Sequence, residues 1–356
     1  MAFKIEKKQE YAFLIGVTFK NNQSYEEDLK ELERLAETAG LQVVGRNGQY
    51  IREITPATLL GSGKLEEIQQ QIVECGANVA IVDYELSGSQ TNNISSILNV
   101  KVIDRMALII DIFAQRAVSN EGMLQVELAQ LKYSLPRLSS IAGTSGRFGS
   151  AGVGMRGPGE TKLELDRRAV KLKIQKLEKE LQKIKEQRGL KRQKRGLSGK
   201  KKVAIVGYTN AGKSTLLNAI CKAGIYADDK LFATLETTSR SVWLGDDTQV
   251  ILTDTVGFIN KLPHTLVDAF ASTLEEALDA DIILHVVDIS NPYYKKQIEV
   301  VNQTLKEIGA GEIKNIIAYN KCDKIHEAKE LKANEVFISA KTGKGIDRLK
   351  ELIKEM

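Results

Sequence analysis

The stretch KKVAIVGYTNAGKST, residues 201–215, limits the fold more than any other part of the chain. A short apolar run leads into a glycine-bearing turn, and the turn opens a helical segment. Gly207, Gly212, Lys213 and Ser214 match the G-x-x-x-x-G-K-S spacing of a phosphate-binding loop, in the strand–turn–helix context it requires. The glycines let backbone N–H groups turn inward around phosphates, so Gly207, Tyr208, Thr209, Asn210, Ala211 and Gly212 are expected to cradle them. The helix opening near Gly212 aims its positive dipole end at the same place. Lys213 is placed to neutralise the β- and γ-phosphates. The Ser214 hydroxyl is placed to ligate Mg²⁺, with Thr215 following it into the helix.

This spacing does not choose the base, but NKCD, residues 320–323, does. It follows an apolar run, IKNIIAY. Asn320 can bond the base, Lys321 can pack over the ring, and the Asp323 carboxylate can accept from the ring N–H and exocyclic amine of guanine. Adenine presents the wrong donors and acceptors, and a buried carboxylate left unpaired discriminates strongly. Ser339, Ala340 and Lys341 follow EVFI at a distance suited to completing such a pocket. Two segments between these motifs read as γ-phosphate sensors. FATLETTSR, residues 232–240, offers Phe232, Ala233, Thr234, Leu235 and Glu236 as nucleotide contacts, with Thr234, Thr237 and Thr238 as metal or γ-phosphate hydroxyls. DTVG, residues 254–257, offers Asp254 as a metal partner, Thr255 and Val256 along the strand end, and the Gly257 N–H as the γ-phosphate sensor. The metal set expected is Ser214 and Asp254 with one of Thr234, Thr237 and Thr238, and the catalytic set is Lys213, Gly257 and Asn210 with that threonine.

The rest of the chain reads as α/β. Over residues 1–118, apolar runs at 11–17, 41–45, 78–83 and 100–104 alternate with helical patterns at 24–39, 64–75 and 90–98, which predicts a mainly parallel sheet. Residues 119–190 read as an antiparallel helical hairpin. Leu124, Leu128, Leu131 and Leu135 share one helix face, and Leu163, Val170, Leu177 and Ile184 recur every seventh residue on the other, with Ile174 and Leu181 between. Its loop, 143–160, holds seven glycines and a proline and carries Arg147 and Arg156. Residues 191–201 read as a basic linker and 202–356 as a Ras-like P-loop domain that ends on a helix at 346–354, leaving no further domain.

The net charge of +5 is local: Arg188 to Lys202 carries eight basic residues and no acidic one, which points to a polyanionic partner. Cys75, Cys221 and Cys322 are scattered and odd in number, no apolar run is long enough to span a bilayer, and the N-terminus lacks a signal core; a cytoplasmic monomer is expected. GSGK at 61–64 is too short for a phosphate loop and reads as a turn opening a helix, an anion-binding glycine pair before that helix being its other reading.

The segment DTVGFINKLPHTLVDAFASTLEEALDADIILHVVD, with GPGETKLELDRR at 157–168 and GSGKLEEI at 61–68, closely resembles the HflX family of ribosome-associated GTPases. The resemblance covers nearly the whole chain. It implies an N-terminal α/β domain with a two-helix arm, linked to a GTPase domain, and GTP-controlled binding to the large ribosomal subunit and its rRNA, in some members with ribosome splitting. It also implies that the metal-binding threonine of the first switch is Thr234. Two departures stand out. Many bacterial members carry a small extra domain after the GTPase domain, whose contacts are not carried over. The first switch reads LETT where the common form is LDPT.

Phe258 occupies the position after Gly257 where many GTPases place a water-orienting Gln. The group is then supplied by an ordered loop or a partner, by backbone alone with slow turnover, or by K⁺. Asn210 bears on the last option, because it lies in the G-x-x-N-x-G-K-S form of potassium-activated GTPases; stabilising the loop turn is its other reading. His264 reads as a helix-start residue, and His285 as a satisfied residue of a buried strand. The competing function is an RNA-binding or assembly module whose GTPase domain is a mainly non-catalytic scaffold. A signalling GTPase is disfavoured by the missing Gln and the glycine-rich loop.

Overall fold

The computed structural model describes residues 9–19, 25–138, 162–196, 200–221, 231–232, 238–245, 248–260, 266, 276–325 and 330–356. The chain divides into two compact units, one of residues 1–115 with 126–179 and one of 116–125 with 180–356.

The first unit is built on four parallel strands, β1 (Tyr11–Phe19), β2 (Gln42–Ile51), β3 (Val79–Val82) and β4 (Lys101–Asp104), in the order β2-β1-β3-β4. Parallel neighbours need crossovers, and these are α1 (Tyr25–Thr38), α2 (Ser62–Cys75) and α3 (Gly88–Leu98). The run VAIV of β3 is apolar at every position because both sheet faces are covered, and all four residues are buried. Helix α3 starts on a capping box, in which Ser87 accepts from Gln90 N while Gln90 accepts from Ser87 N. It ends on Asn99 in the left-handed region. The GSGK segment opens α2 at Ser62, as its turn reading predicts.

Helix α4 (Arg105–Arg116) leaves β4 directly, and two ionic groups at that junction organise the unit. Asp104 is fully buried and accepts from Leu86 N at 3.1 Å, Ala107 N at 2.8 Å, Tyr133 Oη at 2.9 Å and the Arg137 guanidinium at 3.0 Å. Four donors offset the desolvation of this carboxylate. They also fasten the end of helix α5 (Asn120–Ser134) and the turn at Leu135–Arg137 to the sheet. Arg105 is likewise buried and pairs with Asp83 at 2.8 Å and with Glu31.

Helix α6 runs from Lys162 to Gly196. Ile174 and Leu177 on its heptad face are buried, whereas Leu165 and Leu172 off that face are exposed. Ion pairs Lys173–Glu127 at 2.5 Å and Lys132–Glu178 at 2.8 Å join it to α5. The helix continues past residue 190, where the sequence reading starts a linker. Lys, Arg and Gln at 191–195 are good helix formers, so the basic run begins on the helix. The glycine-rich loop 143–160 lies outside the described residues.

Among the described residues the second unit holds six strands in the order β10-β9-β8-β5-β7-β6, all parallel except the β6–β7 pair. These are β5 (Lys201–Gly207), β6 (Thr238–Trp243), β7 (Gln249–Asp254), β8 (Ile282–Asp288), β9 (Lys314–Asn320) and β10 (Glu335–Phe337). Helices α7 (Lys213–Cys221), α8 (Tyr294–Glu307) and α9 (Ile346–Glu355) accompany the sheet. Val203, Ile205, Leu252, Leu284 and Ile316 from four strands meet Leu216, Leu217 and Leu349 in one core. This layering puts the carboxyl ends of β5, β7, β8 and β9 along one edge, where ligands bind in open α/β sheets.

Candidate guanine-nucleotide site

At that edge β5 turns through residues 208–212 into α7. The turn needs left-handed backbone at Asn210 (φ +60°) and Gly212 (φ +93°). Gly212 is required for space as well: a Cβ there would lie 2.3 Å from Asn320 Nδ2. Lys213 is buried, and its ammonium donates to the carbonyls of Gly207 at 3.1 Å and Tyr208 at 3.0 Å. Burial lowers its pKa to about 8, against the opposing pull of Asp254. A phosphate at this place restores the missing counter-charge.

Ser214 Oγ donates to Asp254 Oδ2 at 2.7 Å, joining the start of α7 to the end of β7. A hydroxyl and a carboxylate so paired are hard oxygen donors, and they suit Mg²⁺. Thr234, the third ligand expected, lies outside the described residues, as do Ala233, Leu235, Glu236 and Thr237. Phe232 is described and buried, with φ +53°. Thr255 is turned inward, and its hydroxyl donates to Ile205 O at 2.8 Å.

Gly257 passes directly over the loop, where a Cβ would lie 2.9 Å from Thr209 Cγ2 and 3.0 Å from Lys213 Nζ. Phe258 then pairs with the loop as an added strand residue. Its N–H donates to Gly207 O at 3.1 Å, and its carbonyl accepts from Thr209 N at 2.7 Å. The Tyr208 hydroxyl accepts from Asn260 N at 2.7 Å and extends this contact. The Phe258 ring is buried, so it is packing and not a water-orienting group. Val256 is also buried.

The base motifs converge on the same loop. Asn320 Nδ2 donates to Ala211 O at 2.8 Å, while its Oδ1 accepts from Ala340 N at 2.9 Å. A single amide therefore ties NKCD to both the phosphate loop and the SAK segment. A hydrogen bond from Ser339 holds the exposed Asp323 carboxyl below the usual carboxylate range. Lys341 is exposed at the rim, and Thr215 is half-buried on α7. Lys321 has left-handed backbone (φ +62°), and its ammonium reaches Asn210 O at 2.9 Å and Asp288 Oδ2 at 2.6 Å. Sequence reasoning missed Asp288; its signal is an acidic residue closing the strand IILHVVD.

His285 is buried on β8 as expected, but it is not satisfied: Nδ1 has no hydrogen-bond partner among the described residues. Burial and the nearby Lys213 charge lower its pKa to about 3, so it stays neutral. His264 lies outside the described residues, and Trp243 is exposed on β6.

Three family models match in sequence: "GTP-binding GTPase N-terminal" over residues 26–114, "GTP-binding GTPase Middle Region" over 116–195 and "50S ribosome-binding GTPase" over 202–321. GTPase HflX of Caldanaerobacter subterraneus subsp. tengcongensis is 48% identical over 98% of this chain and 81% of its own length. This chain belongs to the HflX GTPase family. GTPase HflX of Escherichia coli (strain K12) is 42% identical over 97% of this chain and 82% of its own length. HflX proteins are P-loop GTP hydrolases, and the chain is a GTPase of that kind. A GTP-binding protein from the archaeon Sulfolobus solfataricus, in complex with GDP, shares the fold. Its TM-score is 0.51 at 24% identity, over 98% of each chain. Among the described residues no helix is long and apolar enough to cross a membrane.

Proposed function

We propose that this GTPase binds the large ribosomal subunit and its rRNA under the control of GTP, and hydrolyses the nucleotide after docking. The observation that carries the nucleotide half is Asn320, whose one amide joins the phosphate loop to both base motifs. In this reading Asn320, Lys321, Asp323, Ser339, Ala340 and Lys341 hold guanine. Gly207 to Thr215 hold the phosphates, and Phe232 to Glu236 with Asp254 to Gly257 form the switches. Lys213 exchanges its two carbonyl partners for β- and γ-oxygens, and the Gly257 N–H reports the γ-phosphate. Ser214, Thr234 and Asp254 would hold Mg²⁺, which would supply positive charge to offset that of the phosphates.

The ribosomal half is supported by the family model for the GTPase domain and by the basic run that begins on α6. We propose that the chain works as a cytoplasmic monomer of an N-terminal domain over 1–118, a helical arm from 119 whose second helix carries the start of the basic run to Gly196, and a GTPase domain that opens on β5, with loop 143–160 as the rRNA probe. Phosphate contacts by such a run give binding that weakens by roughly one power of salt concentration per contact.

Catalysis is the step for which Phe258, the residue after Gly257, offers no water-orienting group, since its ring is packed away and its backbone is bonded to the loop. Intrinsic turnover is therefore expected to be slow. Large subunits, or K⁺ held with the help of Asn210, should accelerate it at least tenfold, by about 1.4 kcal/mol of barrier or more. Steady-state rates in K⁺ and in Na⁺, with and without subunits, check this. Fast hydrolysis in Na⁺ alone would point to a built-in catalytic group. RNA binding that ignores the nucleotide would favour the scaffold reading.

A further inference from the structure

We infer that Asp288 is a positioning residue for nucleotide binding: it holds Lys321 flat across the phosphate loop as the platform for the purine ring. The inference rests on the guanine-site reading of NKCD. Asp288 closes β8 in register with Asn320 on β9, so it stands beside the base motif although 33 residues separate it from Lys321. Its Oδ2 lies 2.6 Å from Lys321 Nζ. Its Oδ1 accepts from Ser290 N at 3.1 Å and Ser290 Oγ at 2.5 Å. Ser290 thus fixes the carboxylate through Oδ1, and Oδ2 is left to meet the ammonium.

That pair does more than neutralise charge. A lysine left to itself on an open edge keeps its many rotamers in water. Here two partners define one of them, Asp288 Oδ2 on one side and Asn210 O at 2.9 Å on the other. The Lys321 side chain is held across the loop, with its methylenes available to a flat ring. Its left-handed backbone (φ +62°) orients the chain toward the loop and is costly for a non-glycine residue, so the ionic clamp also holds a strained turn. Through Asn210 the same clamp connects the base side of the site to the phosphate loop. Asp288 touches neither base nor phosphate in this account; it acts through Lys321.

The test is GDP and IDP affinity of the full chain by calorimetry, with melting temperatures alongside. Asp288→Asn should weaken GDP by about tenfold or more, the loss typical of one charge-assisted contact. IDP should weaken by the same factor, because the contact to the exocyclic amine belongs to Asp323. Lys321→Met should weaken both as well, and the double variant should bind no worse than Lys321→Met alone. Ser290→Ala removes one of two bonds to Oδ1 and should weaken GDP about threefold, with an unchanged melting temperature. GDP binding by Asp288→Asn within twofold of wild type would overturn the inference, and so would multiplicative losses in the double variant. If Asp288→Asn does not fold, unchanged affinity in Ser290→Ala overturns it. A wild-type chain that failed to bind GDP would instead remove the guanine-site reading beneath it.

Discussion

Asp323→Asn should weaken GDP binding by about 100-fold or more and turn the preference toward XDP. The carboxylate can accept two hydrogen bonds, from the ring N–H and the exocyclic amine of guanine, whereas an amide accepts with one atom and donates with the other. Xanthine carries a carbonyl where guanine carries the amine, so the same amide that repels guanine suits it. Ser339 already holds Asp323 in its ionised form, and Asn320 bonds Ala340 of the same loop, so the acceptor is oriented before the base arrives. Titration with GDP and XDP reads the switch. Unchanged GDP affinity would place the base pocket elsewhere.

Gly212→Ala is the second change with a large expected effect. The new methyl lies 2.3 Å from Asn320 Nδ2, in backbone at φ +93° that L residues rarely adopt. Relief requires moving the loop or breaking the Asn320 bond to Ala211 O, and either one dislocates phosphate and base contacts together. Strain of about 1–3 kcal/mol, added to the lost contact, should cost GDP affinity roughly 100-fold and lower the melting temperature of the second unit. Gly343→Ala is the control. It shares a positive φ but meets nothing within 4 Å, so it should retain GDP binding.

The parts of this site that lie close together in sequence were legible there. The β5–loop–α7 unit is written in fifteen consecutive residues, and NKCD and SAK each follow a strand in a local pattern. Strand and helix positions in the first unit were legible too, because parallel buried strands are continuous apolar runs separated by amphipathic segments. Contacts made by a carboxylate or hydroxyl far along the chain were not. Asp288 on Lys321, Tyr208 on Asn260 and Asp104 on Tyr133 and Arg137 span 29 to 52 residues, and nothing in periodicity pairs them. The end of α6 was misplaced for another reason. A basic run composed of good helix formers looks the same on a helix as in a linker. His285 shows the same limit in the core, since burial was foreseeable on an apolar strand and an unsatisfied Nδ1 was not.

Control of ribosome binding by the nucleotide is the central property of the proposed function. The direct measurement is co-sedimentation of the full chain with isolated large ribosomal subunits in a non-hydrolysable GTP analogue, in GDP and without nucleotide, over a range of salt. A parallel series uses a chain lacking residues 144–156. The expected result is retention in the analogue, release in GDP, and loss of retention that steepens with salt. The shortened chain should bind GDP normally, because its guanine site is intact, and fail to sediment with subunits. Equal sedimentation in all three nucleotide states, or wild-type sedimentation by the shortened chain in the analogue, would contradict it.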